Sequence, residues 1–301
     1  MREVVLVAGS NGLVGQKTIS LLVDNGYTVV AASRGADRNV RADGYAYHAV
    51  ALEDALQVQA LLRAVQPQVV VHAAGMTLPD ACERDPDACR LHNVVATANV
   101  AEACRETGSR LVYLSTDFVF DGNKGPYRET DAPNPLNAYG RAKLQAEQAI
   151  AATTGLHWTV LRTILVYGYA AGVSRSNLVL WVLQNLREQK PIRVVADQLR
   201  MPTLAEDLAD GILRAIQRRA QGIYHISGGE MLSVHTIAQR VAQFWDLDES
   251  LISPVQTAAL NEAARRPLVT GFVLEKSHRE LGYTPRPLQE GFALLAQQLN
   301  Y

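Results

Sequence analysis

"VVLVAGSNGLVG", residues 4–15, decides the fold. Its first half is an uninterrupted, largely β-branched apolar run, the pattern of a parallel strand buried on both faces. Its second half sets Gly9, Gly12 and Gly15 in a GxxGxxG spacing. "TISLLVDNG" (18–26) follows and reads as a helix stopped by Asn25-Gly26. Strand, glycine turn and helix in that order open a βαβ unit.

Working outward, "TVVAAS" (28–33), "YHAVAL" (47–52), "QVVVHAAG" (68–75), "RLVYLST" (110–116) and "HWTVLRTILVYG" (157–168) read as further strands. Helical stretches over 55–65, roughly 86–106, and 137–154 separate them. This alternation predicts an α/β fold, a Rossmann-type doubly wound parallel sheet. Beyond residue 165 the order loosens into "SNLVLWVLQNL" (176–186), "IRVVAD" (192–197), "TLAEDLADGILRAIQ" (203–217) and "GIYHISGG" (222–229). Thr203 and Glu206 carry a capping-box spacing. The expected organisation is a nucleotide-binding domain over 1–165 and a smaller C-terminal α/β substrate domain over 166–301. A segment near 203–228 is a candidate to return to the first sheet.

The bulk composition narrows the function classes. The 301 residues are 48% hydrophobic and 20% charged with a net charge of −1, so no basic face favours nucleic acid. No apolar run reaches the ~18 residues of a membrane span. Three cysteines, Cys82, Cys89 and Cys104, lack CxxC spacing, and no leader-like segment precedes the first strand. The expectation is a cytoplasmic protein with reduced thiols. The histidines form no HxxxH or HExxH pair, so no metal is expected.

A glycine turn between strand and helix lets the backbone approach a pyrophosphate, and the helix N-terminus offers free N–H groups. Candidate cofactor-binding residues are Gly9, Asn11, Gly12, Leu13, Val14 and Gly15. At the end of the second strand, where an acid would hold a ribose 2′-hydroxyl, the chain has Ser33 and Arg34, with Arg38 nearby. A hydroxyl and a cation suit a 2′-phosphate, which favours NADP(H) and keeps NAD(H) as the alternative. Ala73, Ala74 and Gly75 end the fourth strand in small residues that admit a flat ring.

Tyr139 and Lys143 lie four residues apart in "NAYGRAKLQAE" (137–147), on one helical face. An ammonium within a few Å lowers a phenol's pKa from near ~10 towards useful acid–base range. Thr116 ends the fifth strand, at the edge where ligands bind in doubly wound sheets. Thr116, Tyr139 and Lys143 are therefore candidate catalytic residues, with Tyr139 and Lys143 also beside the cofactor.

In order along the chain stand the glycine loop, "HAAG", "LSTDFVFDG", "PYRETDAPNPLNAYGRAKLQAE", "LRTILVYG" and "DQLRMPTLAEDLA". They resemble the extended short-chain dehydrogenases/reductases, and within them the dTDP-4-dehydrorhamnose reductase group, over essentially the whole chain. The resemblance implies NADPH-dependent reduction of a nucleotide-linked 4-keto-6-deoxy sugar. Thr116, Tyr139 and Lys143 match its catalytic triad, and Asp117, Arg200 and Arg266 fall on the substrate side. It also allows a homodimer. Leu165 stands where rhamnose-forming members usually have tryptophan, and Ala51 where they have an aspartate. Arg200 and Met201 replace small residues. "GQKT" lacks the glutamate of a metal-linked dimer. The regulatory β subunit of methionine adenosyltransferase shares several of these blocks, including an arginine at Arg200, and supplies the alternative: an NADP-binding regulatory subunit. Nucleotide-sugar 4,6-dehydratases pair Asp and Glu after the threonine, whereas Asp117 is followed here by Phe118.

Overall fold

Alternation within the first strand sets the two layers of the molecule. Val5 and Val7 point into one apolar layer, Leu6 and Ala8 into the other, and all four are buried. A strand apolar at every position needs a cover on both faces, and the chain supplies one. The computed structural model describes residues 2–41, 43–173 and 176–299.

The chain runs β1 (Val4–Ala8), α1 (Leu13–Asp24), β2 (Thr28–Ser33), β3 (Tyr45–Ala49), α2 (Ala55–Val65), β4 (Val69–His72), α3 (Pro79–Arg84), α4 (Pro86–Arg90), α5 (Ala96–Thr107) and β5 (Arg110–Thr116). It continues through α6 (Ala138–Ala152), β6 (Trp158–Thr163), β7 (Val166–Tyr167), α7 (Leu178–Arg187), β8 (Ile192–Val195), β9 (Leu199–Arg200), β10 (Thr203–Leu204), α8 (Ala205–Gln217) and β11 (Gly222–Ile226). The last elements are β12 (Leu232–Ser233), α9 (Val234–Phe244), β13 (Ile252–Val255) and α10 (Leu288–Gln298).

Seven strands form one parallel sheet in the order β11-β6-β5-β4-β1-β2-β3. α1 and α8 cover one face through Ile19, Leu22, Leu208 and Ile212. α2, α5 and α6 cover the other through Val58, Leu62, Val100, Ala101, Ala146 and Ile150. A third core, around Tyr167, Val182, Leu186, Val241 and Phe292, packs α7, α9 and α10 against β8 and β13. β11 pairs with β6, so the chain returns to the main sheet after leaving it.

Several elements differ from the sequence reading. The third strand is shifted to 45–49, and the fourth ends at His72, before the small residues. The expected single helix over 86–106 is α4, a π-helical turn at Leu91–Val95, and α5. The stretch 157–168 is broken by Leu165, whose φ of 41° is left-handed. The capping box at Thr203 does not form. α8 starts after Leu204, with no side-chain cap. The Thr203 hydroxyl donates to the Ile164 carbonyl at 2.7 Å, and Glu206 pairs with Lys17 at 2.8 Å. Cys82, Cys89 and Cys104 are free thiols and buried.

Candidate active site

Strand order reverses between β1 and β4, and the crevice beyond their carboxyl ends is where such sheets bind ligands. A cleft of about 1150 Å³ opens there. Gly9 leaves β1 with φ 88°, and a Cβ on it would lie 2.5 Å from the Ala74 nitrogen. A Cβ on Gly15 would lie 2.3 Å from the Gly9 carbonyl. These two glycines let the turn fold flat against α1 and the end of β4. Gly12 caps α1 without a side-chain hydrogen bond and no acid occupies the first turn. The first N–H groups of this helix therefore face the cleft with their positive dipole uncompensated, a donor set suited to a pyrophosphate.

Gly9, Asn11, Gly12, Leu13, Val14, Gly15, Ser33, Arg34, Ala73, Ala74 and Gly75 all line this cleft. Asn11 also shapes it: its side chain accepts from the Arg38 N–H at 2.9 Å and donates to the Ala36 carbonyl at 2.9 Å. The Arg34 side chain is 67% exposed, and its guanidinium lies 3.5 Å from Glu53. The residues present thus fit a dinucleotide, with cations at the end where a ribose phosphate would lie.

The second group comes from β5 and α6. Asn137 caps α6 by accepting from the Gly140 N–H at 2.8 Å, which seats Tyr139 in the first turn. Tyr139 is only 8% exposed, lines the cleft and meets the Phe118 ring edge-on at 5.9 Å. Thr116 lines the same cleft, and its hydroxyl donates to Asp117 at 3.1 Å. Lys143 lies one helical turn beyond Tyr139 and is buried behind it; unlike Tyr139 and Thr116 it is not among the residues that line the cleft. Its ammonium donates to the Leu114 carbonyl at 2.6 Å and lies 4.1 Å above the Tyr113 ring. Burial pulls the Lys143 pKa down to about 7, against the Glu147 carboxylate, which raises it. Glu147 in turn grips Arg162 through two hydrogen bonds of 3.0 and 2.6 Å and accepts from Ser115.

The substrate-side residues reach the cleft but are already engaged. Asp117 is buried, accepts from Thr270 at 2.5 Å, and lies 3.9 Å from Arg200. Desolvation pushes its carboxyl above the usual range, with Arg200 opposing. The Arg200 guanidinium donates to the carbonyls of Leu199, Pro267 and Leu268 at 2.7–2.9 Å and to Gln198 at 3.0 Å. It staples the 267–268 segment onto β9. Arg266 clasps Asp80 at 3.2 and 2.9 Å and lies 2.6 Å from Glu262. Trp181, Arg193, Glu53 and His92 also line the cleft. Sequence spacing offers no signal for them, because each comes from a different element. Among the described residues, no group of three His, Cys, Asp or Glu could hold a metal ion. No helix there is long and apolar enough to cross a membrane.

The sequence and the fold are similar to those of known proteins. The dTDP-4-dehydrorhamnose reductase of Burkholderia thailandensis is 36% identical over 283 residues, covering 87% of this chain and 88% of that protein. The methionine adenosyltransferase 2 subunit beta of Xenopus tropicalis is 33% identical over 261 residues, covering 83% of this chain and 74% of that one. The crystal structure of dTDP-4-dehydrorhamnose reductase from Bacillus anthracis in complex with NADP superposes with a TM-score of 0.87 at 27% identity, covering 99% of this chain and 100% of that one. The model of the RmlD substrate binding domain matches residues 1–301, the glycine turn and the Tyr139 helix included. By that match, over its whole length, the chain belongs to the RmlD substrate binding domain family.

Proposed function

We propose that the chain is an NADPH-dependent reductase of a nucleotide-linked 4-keto-6-deoxy sugar, of the dTDP-4-dehydrorhamnose type, with residues 166–301 shaping the substrate side. The observation that carries this reading is Tyr139. It is a nearly buried phenol on the cleft wall, with Lys143 one helical turn behind it and Thr116 across the same space. A dinucleotide bound along Gly9–Gly15 would supply the hydride. Tyr139 donates its proton to the sugar oxygen as the carbonyl becomes an alcohol. The Lys143 ammonium stabilises the phenolate left behind. Thr116 turns its hydroxyl from Asp117 to the same oxygen and holds the carbonyl in place. A positioned general acid of this kind contributes typically ~10²–10⁴ in rate. Following NADPH absorbance with dTDP-4-keto-6-deoxy sugars tests the reading. Turnover in the native chain and its loss in Tyr139→Phe is expected.

A second reading is an NADP-binding regulatory subunit. The similarity to methionine adenosyltransferase 2 subunit beta favours it, as does the commitment of Arg200 and Arg266 to protein partners rather than to open space. Dinucleotide binding without turnover on any keto sugar, together with stoichiometric binding to a methionine adenosyltransferase catalytic subunit, would select it.

A further inference from the structure

We propose that Glu53 is a specificity-determining residue that offsets the preference Arg34 gives to a phosphorylated adenosine ribose. The inference rests on the dinucleotide reading above and deepens it. The end of β2 has no acid, and Arg34 stands where one would favour NADH. The structure brings a carboxylate to the same place from the loop after β3. Glu53 lines the cleft with Arg34, Arg38 and His92. Its Oε1 is shared by the Arg34 guanidinium and the His92 ring. Three separate features hold it there. Asn99 donates to the Leu52 and Glu53 carbonyls at 3.0 and 3.1 Å. Asp54 caps α2 immediately after it. The π-helical turn at Leu91–Val95 presents His92 to the carboxylate. Arg34, by contrast, is two-thirds exposed and pairs with Glu53 at 3.5 Å.

Two opposed effects follow. A 2′-phosphate approaching Arg34 meets the Glu53 charge and must draw the guanidinium away from it. A ribose hydroxyl instead finds in Glu53 an acceptor of the kind dinucleotide sites use to bind NADH. Glu53 therefore narrows the advantage that Arg34 gives to NADPH.

The test compares dissociation constants for NADPH and NADH by calorimetry in the native chain, E53Q, E53T, R34A and the double variant E53Q/R34A. E53Q and E53T are read side by side, so a folding fault in one leaves the other to decide. We expect each to shift the affinity ratio towards NADPH by about fivefold, the scale of a partly exposed charge pair. In the R34A background the gain for NADPH shrinks, because residues acting through one contact are not additive. Binding with an unmoved ratio in both Glu53 variants overturns this inference alone. Failure of the native chain to bind either dinucleotide overturns the parent reading with it.

Discussion

Lys143 is 4% exposed, and its nitrogen meets the Leu114 carbonyl and the Tyr113 ring, with the Glu147 carboxylate acting on it from the same helix. A lysine so placed gives up its proton near pH 7 in the folded chain, but keeps it to near ~10.4 when unfolded. Between those values the unfolded state binds more protons, so this group makes stability rise with pH; below about 7 its full burial cost is present and constant. Lys143→Met removes that dependence. We expect K143M to be the more stable form near pH ~6, with the gap closing towards pH ~9. Parallel melting curves across that range would contradict the buried ammonium. Tyr139→Phe keeps the ring packed on Phe118 and removes only the hydroxyl. We expect turnover to fall by ~10²–10⁴ with NADPH affinity little changed, read by single-turnover kinetics beside calorimetry. At this scale the positions of Tyr139 and Thr116 on the cleft were legible in the sequence, because a helix and a strand end are local facts, whereas the burial of Lys143 behind them was not. Glu53 and His92 were not, since two separate crossovers bring them together.

α6 is tied to the sheet by charge as well as by packing. Glu147 faces Arg162 of β6 with both side chains nearly fully buried. Glu147→Gln leaves the guanidinium buried without its counter-charge, which costs about 3–5 kcal/mol. Urea unfolding would measure it, and a loss under ~1 kcal/mol would mean that water reaches the pair. The β1–α1 turn is the other critical junction. Gly15→Ala puts a methyl into the Gly9 carbonyl, so the turn must open. We expect NADPH affinity to fall by more than about tenfold, while an overpacked junction costs about 1–3 kcal/mol of stability. Unchanged affinity would place the dinucleotide elsewhere. The sequence carried this turn because its glycine spacing is local. It misled at α8, where the Thr203 hydroxyl satisfies the Ile164 carbonyl instead of the helix end.

The main sheet draws on both halves of the chain. β11 covers the edge of β6, and Leu208, Ile212, Ile216, Tyr224 and Ile226 complete the apolar layer over Val5, Val7 and Val71. Each such side chain left exposed forfeits about 1.5–3 kcal/mol. A fragment ending at residue 165 would keep the glycine turn and Tyr139 yet lose half of one core layer and gain an open strand edge. We expect it to aggregate or be cut rapidly by protease where the full chain resists. A stable, monomeric fragment would contradict this interdependence. Alternating strands and helices made the first half readable. The return of β11 was readable only as a candidate, because pairing across sixty residues leaves no periodic trace in sequence.

On the proposed reading, a hydride and the Tyr139 proton add across one sugar carbonyl in this cleft. Deuterium-labelled NADPH, incubated with dTDP-4-keto-6-deoxy sugar, tests it most directly. We expect deuterium on the former carbonyl carbon of the product in the native chain, and the same label appearing ~10²–10⁴ more slowly in Tyr139→Phe. Equal rates of labelling by both proteins would rule out Tyr139 as the proton donor, and tight NADPH binding with no label passed to any nucleotide-linked keto sugar would rule out the reduction itself.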